Sequence, residues 1–327
     1  MKQNRLFAAA AALFLATAPL QAHAYSALYV FGDSLSDVGN VFIGTLGAEP
    51  AAPYVNGQFS NGPIWVQGLS QSLGLGSVAP ALGGGTDYAF GGATTGYAPT
   101  AGTAPVPSLT AQVTEFLSTT TLPLSTSALY AVWIGSNDIF NIVGAAPSPI
   151  VALQDAQGAA QTEANAIAAL AAAGATNFLV PLVGDLGKTP TLISLGATAI
   201  QAGSFLAASY NAALEADLAG LQATPGISLS YLDTYSLLDA AIADPGAFGL
   251  TDVTDPCYVG PYTGGGTVCG SPSQYLYWDS LHPTAAGQAI IATAAFDVVP
   301  EPATWPLLAT GLLGLTLGRR RLKRLRL

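Results

Sequence analysis

Short apolar runs rich in β-branched and aromatic residues alternate along this chain with longer stretches rich in alanine and leucine. Residues 27–31, 129–134, 178–183 and 227–232 have strand length and strand composition, and apolarity of this kind predicts strands buried inside a sheet. Residues 154–173, 197–221 and 284–296 are poor in proline and rich in good helix formers, which predicts helices. Strands alternating with helices of this length predict a parallel sheet covered by helices on both faces. No internal repeat interrupts the alternation. The segment 83–107 is rich in Gly, Thr and Pro and reads as loop or short strand.

In sheets of this class ligands bind beyond the carboxyl ends of the strands, so polar residues that follow strands carry the most information. Gly32-Asp33-Ser34 follows the first predicted strand and Gly135-Ser136-Asn137-Asp138 follows the second.

Both ends of the chain break the pattern. Lys2 and Arg5 precede an apolar run from Leu6 to Leu20 that closes on Ala22-His23-Ala24, the order of a signal peptide with a small-x-small cleavage site. Cleavage before Tyr25 is expected, because the run is shorter than the roughly 20 residues a spanning helix needs. At the other end Val299-Pro300-Glu301-Pro302 leads into an apolar stretch ending at Gly318 and then Arg319-Arg320-Arg321-Leu322-Lys323-Arg324. Arginines flanking such a stretch can reach the headgroups and would hold that end in the cytoplasm.

Charge and histidine usage narrow the chemistry. Between the two end segments Lys188 is the one basic residue, against 19 acidic residues from Asp33 to Glu301, a formal −18. Such a surface repels phosphate backbones, which excludes nucleic acid as a partner. Once His23 leaves with the signal peptide, His282 is the remaining imidazole. That scarcity argues against a histidine-based metal site, and no loop motif suggests a metal or cofactor of another kind. Cys257 and Cys269 flank Gly264-Gly265-Gly266; in an exported chain such a pair is expected to join as a disulfide, bracing the segment that leads into Asp279 and His282.

Three motifs carry chemistry. Phe31-Gly32-Asp33-Ser34-Leu35-Ser36-Asp37 sets a serine where a buried strand turns into the next element; its hydroxyl can be a nucleophile or an N-cap. In Asp279-Ser280-Leu281-His282 an acid three residues before a histidine can hold the imidazole in one tautomer and stabilise its charged form. Asn137 offers a side-chain amide, and Gly91 or Gly92 a backbone amide unobstructed by a Cβ, for charge that develops on a carbonyl oxygen. Ser34 is outside a Gly-x-Ser-x-Gly elbow, since Ser36 stands at the second glycine position. Gly187-Lys188-Thr189 lacks the first glycine of a phosphate loop, with Leu182 in its place.

Phe31 to Asn40, Asp87 to Ala93, Gly135 to Asp138 and Trp278 to Pro283, in this order, resemble the four blocks of the GDSL or SGNH hydrolases. Gln58 to Val66 and Pro272 to Leu276 support the likeness. It implies a flavodoxin-like three-layer α/β/α domain over residues 25–298 and hydrolysis of carboxylic esters without a cofactor. It further implies Ser34 as nucleophile, His282 as base and Asp279 as third triad member, with the Ser34 amide, Gly92 and Asn137 forming the oxyanion hole. Asp87 stands where many members carry Asn. The same scaffold could transfer the acyl group to another alcohol, or persist as a decayed surface protein. Residues 299–327 resemble the bacterial PEP-CTERM tail. That tail implies a Gram-negative host, transient inner-membrane attachment, an exosortase-type processing enzyme as partner, and delivery to the cell surface, outer membrane or extracellular matrix.

Overall fold

The computed structural model describes residues 25–102 and 105–300. The expected signal peptide, and the tail with its apolar stretch and basic cluster, lie outside these residues. The described chain forms one compact unit, Tyr25–Pro300, whose two ends meet where the Tyr25 hydroxyl donates to the Pro300 carbonyl.

Four strands, β1 (Leu28–Gly32), β2 (Leu129–Trp133), β3 (Asn177–Pro181) and β4 (Ser228–Leu232), form a parallel sheet in the order β1-β2-β3-β4. Each lies within one or two residues of its expected place. Outside β1 the segment 86–90 adds a further edge. The Val30 amide donates to Thr86 at 3.0 Å, Tyr88 to Val30 at 2.7 Å and Phe90 to Gly32 at 3.1 Å. Counted in chain order with this edge, the sheet runs 2-1-3-4-5, the flavodoxin-like order, whose switch point lies between β1 and β2. The fold is a three-layer α/β/α sandwich, as the alternation of elements predicts.

The helices are α1 (Asn40–Gly44), α2 (Trp65–Ser72), α3 (Leu109–Thr119), α4 (Ser136–Ala145), α5 (Pro149–Ala172), α6 (Pro190–Ser194), α7 (Ala197–Gln222), α8 (Thr234–Ala243) and α9 (Ala285–Val298). Side chains alternate across the sheet. Phe31, Tyr130, Val132, Phe178 and Val180 join one core with Leu109, Val113 and Phe116 of α3, Ile139 and Ile142 of α4, Ile167 of α5 and Leu206 of α7. Val30, Ala131 and Leu179 are fully buried between them and point to the opposite face. There α2 and α9 approach so closely that a Cβ on Gly68 would stand 2.8 Å from that of Ala292.

α5 begins five residues before its expected start, because Ser148 caps it and Pro149 occupies the first turn. The sequence pattern does not predict α1, α2, α3, α4, α6 or α8. They are short, and α3 and α8 start on side-chain caps, Ser108 and Asp233, that local composition alone does not distinguish from loop residues.

Residues 252–284 form a subsidiary layer. β5 (Asp252–Pro256) pairs in parallel with β8 (Tyr275–Tyr277), and β6 (Tyr258–Val259) pairs antiparallel with β7 (Thr267–Val268). Cys257 and Cys269 are joined, with 4.8 Å between their Cα atoms. The Cys257 amide donates to the Tyr277 carbonyl at 3.1 Å, and Tyr258 stacks on Trp278 at 5.4 Å. The bridge thus braces the strand that leads into Asp279. Closing a loop of 12 residues restricts the unfolded chain, so replacing both cysteines by alanine is expected to cost about 2–3 kcal/mol, measured by urea unfolding. Two free thiols on alkylation of exported protein would contradict the pairing.

Candidate active site

Ser34 lies just beyond β1, and α4 starts directly after β2 at Ser136. The carboxyl ends of the two strands flanking the switch point therefore present Ser34 and Asn137 to the same cleft. Gly135, between β2 and α4, has a φ of +107°, and a Cβ there would meet the Tyr210 ring at 2.5 Å; glycine is required for that turn.

The third segment comes from far along the chain. The Ser34 hydroxyl lies 2.7 Å from Nε2 of His282, and Nδ1 of His282 lies 2.7 and 2.9 Å from the two oxygens of Asp279. Ser34 is 9% exposed, Asp279 5% and His282 4%, so the line of bonds runs from the cleft floor into the interior. Backbone amides of Leu281 and His282 each donate to Asp279 at 2.8 Å, and the Tyr54 hydroxyl donates to it at 2.7 Å. Burial pushes the Asp279 carboxyl up, but the His282 charge and these hydrogen bonds outweigh it and hold the group below its ordinary value.

The loop carrying His282 is clamped from three directions. Ser60 donates to the Pro283 carbonyl at 2.9 Å and Asn61 accepts from the Ala285 amide at 2.7 Å. The Thr191 amide and hydroxyl both donate to the Ser280 carbonyl. The Phe59 ring lies 5.2 Å from the imidazole.

The 87–95 loop, whose Ala93 carbonyl Asn137 reaches, is held by buried carboxylates. Asp37 accepts from the Gly91 amide at 2.9 Å and from Gly39 and Asn40 at 2.8 and 2.6 Å. Asp87 accepts from Val38 at 2.7 Å and Ala89 at 2.9 Å, so each of its oxygens meets a donor that an Asn amide could match on one side only. Asp138 accepts from the amide and hydroxyl of Thr95 and from the Thr100 hydroxyl. Asn137 donates to the Ala93 carbonyl at 2.9 Å, leaving its second N–H directed elsewhere.

The two adjacent glycines differ. The Gly91 amide is taken by Asp37, and a Cβ on Gly91 would collide with Phe59 at 2.3 Å. Gly92 has a φ of +81° and is exposed. Among the described residues no protein acceptor takes the amide of Gly92 or of Ser34.

The structure thus brings Ser34, Asn137 and His282 to one cleft, with Asp279 behind the imidazole and Gly92 next to Ala93, whose carbonyl accepts from Asn137. Sequence reasoning missed Tyr54, which caps Asp279, and Gln112, whose side-chain amide bonds both the amide and carbonyl of Gly32 at 2.9 and 2.8 Å. Neither carries a local signal, since each reaches its partner across a long chain separation. No cluster of His, Cys, Asp and Glu suited to a metal occurs among the described residues.

Ser34, His282 and Asp279 thus stand in hydrogen-bonded line at the switch point of a flavodoxin-like sheet. A profile described as GDSL-like Lipase/Acylhydrolase matches residues 28–295; the chain belongs to that family and is a carboxylic ester hydrolase of the GDSL type. A second profile, the PEP-CTERM protein-sorting motif, matches residues 298–321 and marks an exported protein sorted in Gram-negative bacteria. The chain is 30% identical to a phosphatidylcholine-sterol acyltransferase of Aeromonas hydrophila over 241 residues, 73% of this chain and 67% of that protein. It is also 30% identical to a GDSL esterase/lipase of Arabidopsis thaliana over 308 residues, covering 82% and 87%. Among solved structures it is similar to an acetylxylan esterase of Geobacillus stearothermophilus, with TM-score 0.44, 14% identity and coverage of 82% and 91%. No helix among the described residues is long and apolar enough to cross a membrane; the apolar stretch of the tail lies outside them.

Two expectations follow. Tyr54→Phe removes a donor from a buried carboxylate and should destabilise the protein by about 1.5–3 kcal/mol, read as a lower urea midpoint. The second concerns Asp33, whose carboxyl is lifted by burial to about 7, with Asp138 and Asp37 adding to the rise and the Leu35 amide and His282 opposing it. A raised value favours the protonated fold, so this contribution is complete below about pH 4 and fades as pH rises through about 7. Asp33→Asn should therefore gain stability relative to the parent between about pH 4 and 7; parallel pH profiles would contradict the assignment.

Proposed function

We propose that this chain is a secreted serine hydrolase that cleaves carboxylic esters through an acyl-enzyme. The observation that carries the reading is the continuous hydrogen-bond line from the Ser34 hydroxyl through His282 to Asp279, with steps of 2.7 Å. His282 takes the Ser34 proton as Oγ attacks the ester carbonyl, and the imidazolium is stabilised by Asp279, which stays ionised. Charge gathers on the carbonyl oxygen, for which the amides of Ser34 and Gly92 and the side chain of Asn137 serve as donors. His282 then protonates the leaving alcohol, and a water activated by the same imidazole releases the acid. Assignment of Gly92 over Gly91 rests on the Gly91 amide already being given to Asp37.

The Aeromonas relative, named as an acyltransferase, favours one second reading: the acyl group passes to an alcohol instead of water. Chemistry up to the acyl-enzyme is the same, and added acceptor alcohols decide by product. For location, the reading is removal of residues 1–24, membrane attachment through the tail, and delivery by an exosortase-type enzyme to the cell surface, outer membrane or matrix, supported by the matched sorting motif.

On short p-nitrophenyl esters, Ser34→Ala and His282→Ala should each lose at least about 10³-fold in kcat. Asn137→Ala should lose about 10²–10³-fold. Unchanged turnover in Ser34→Ala or His282→Ala would overturn the mechanism.

A further inference from the structure

Two neighbouring hollows lie beside Ser34. The smaller is the polar cleft that holds Ser34, Asn137 and His282. The second has a volume of about 90 Å³ and shares Leu35, Ser136, Leu186 and Leu281 with the first. Beyond that shared mouth it runs between α8 and α9, where Leu237, Leu238, Ala241, Ile290 and Ile291 line it. We infer that this second hollow is an acyl-chain pocket for straight, unsubstituted chains of about six to eight carbons, an inference that rests on the ester-hydrolase reading of Ser34.

The connection is set by sequence neighbours of the reacting groups. Leu35 follows the nucleophile and Leu281 precedes the base, so a chain attached at the Ser34 oxygen enters the pocket between them. Leu186 forms the third side of the mouth and sits on a turn fixed by Asp185, which accepts from the Gly187 amide at 3.0 Å and from the Ser204 hydroxyl. Leu237, Leu238, Ile290 and Ile291 are each only partly buried, leaving apolar surface that an alkyl chain would remove from water.

Length and chemistry follow from volume and lining. A water-sized group occupies about 10–15 Å³ in this measure, so the hollow holds about six to nine such groups, the bulk of six to eight carbons. Hydroxyl groups along the chain would enter without partners, which is unfavourable. The acyl side is favoured over the alcohol because the alcohol must leave before water arrives, whereas the acyl group stays on Ser34 through both steps. A pocket beside Ser34 suits the group that stays.

Mature protein is assayed on p-nitrophenyl esters from acetate to palmitate, beside Ala241→Trp and Leu238→Ala. The parent should show its highest kcat/KM at hexanoate or octanoate. Each methylene denied burial is worth about fourfold. Ala241→Trp should therefore lower the octanoate-to-acetate ratio of kcat/KM at least about tenfold, with acetate turnover kept within about twofold. Leu238→Ala should move the optimum to longer chains, and it decides the matter alone should the tryptophan variant fail to fold. Unaltered acyl profiles with acetate turnover intact would overturn the pocket assignment and leave the hydrolase reading standing. So would a response confined to alkyl acetates of varied alcohol length. Absence of Ser34-dependent acetate turnover in the parent would instead overturn both.

Discussion

Asp279 keeps a negative charge inside the protein, and a buried carboxylate without partners would cost several kcal/mol. Four donors converge on it: two backbone amides of its own turn, the His282 ring and the Tyr54 hydroxyl. To deliver them, a loop near residue 54 must reach a turn 225 residues further along the chain. The cluster of Tyr54, Tyr258 and Trp278, with the Cys257–Cys269 bridge at its edge, is the packing that makes this meeting possible. Holding the carboxylate in place holds the imidazole, and the imidazole holds the serine.

The 87–95 loop uses buried carboxylates in a second way. Asp37, Asp87 and Asp138 accept backbone amides from a loop with little regular structure of its own. Ordering such backbone costs about 1–2 kcal/mol per residue in conformational entropy, and hydrogen bonds to carboxyl groups offset part of that. The pattern also determines which amides remain unclaimed: Gly91 is taken by Asp37, and Gly92 is left facing outward. Part of this chain's acidity is thereby internal scaffolding.

Reaction and selectivity occupy different ground. On the proposed reading, the groups at Ser34 serve hydrolysis or transfer to an alcohol equally, since both would pass through the same attachment to serine. The space beside the serine is a separate feature. Here that space is bounded by the leucines on either side of the reacting pair and by α8 and α9, elements outside the motifs that identify the family.

The sequence alone was enough for the four parallel strands and the longest helices, because strands buried on both faces leave continuous apolar runs and helices of twenty or more residues outweigh local noise. It also pointed to Ser34, Asn137 and the Asp279–His282 pair, since each follows a strand end or lies within one short motif, and since His282 is the one imidazole between the end segments. Tertiary structure alone showed that the Gly91 amide is taken by Asp37, revealed Tyr54 on Asp279 and Gln112 on Gly32, and placed the 86–90 edge that makes the sheet order flavodoxin-like. Each of these is a contact between residues tens to hundreds of positions apart, and local periodicity carries no record of which distant donor a buried acceptor meets. The apolar pocket belongs to the same category: its lining reads as ordinary core residues until four separate segments, carrying Leu35, Ser136, Leu186 and Leu281, fold around its mouth beside Ser34.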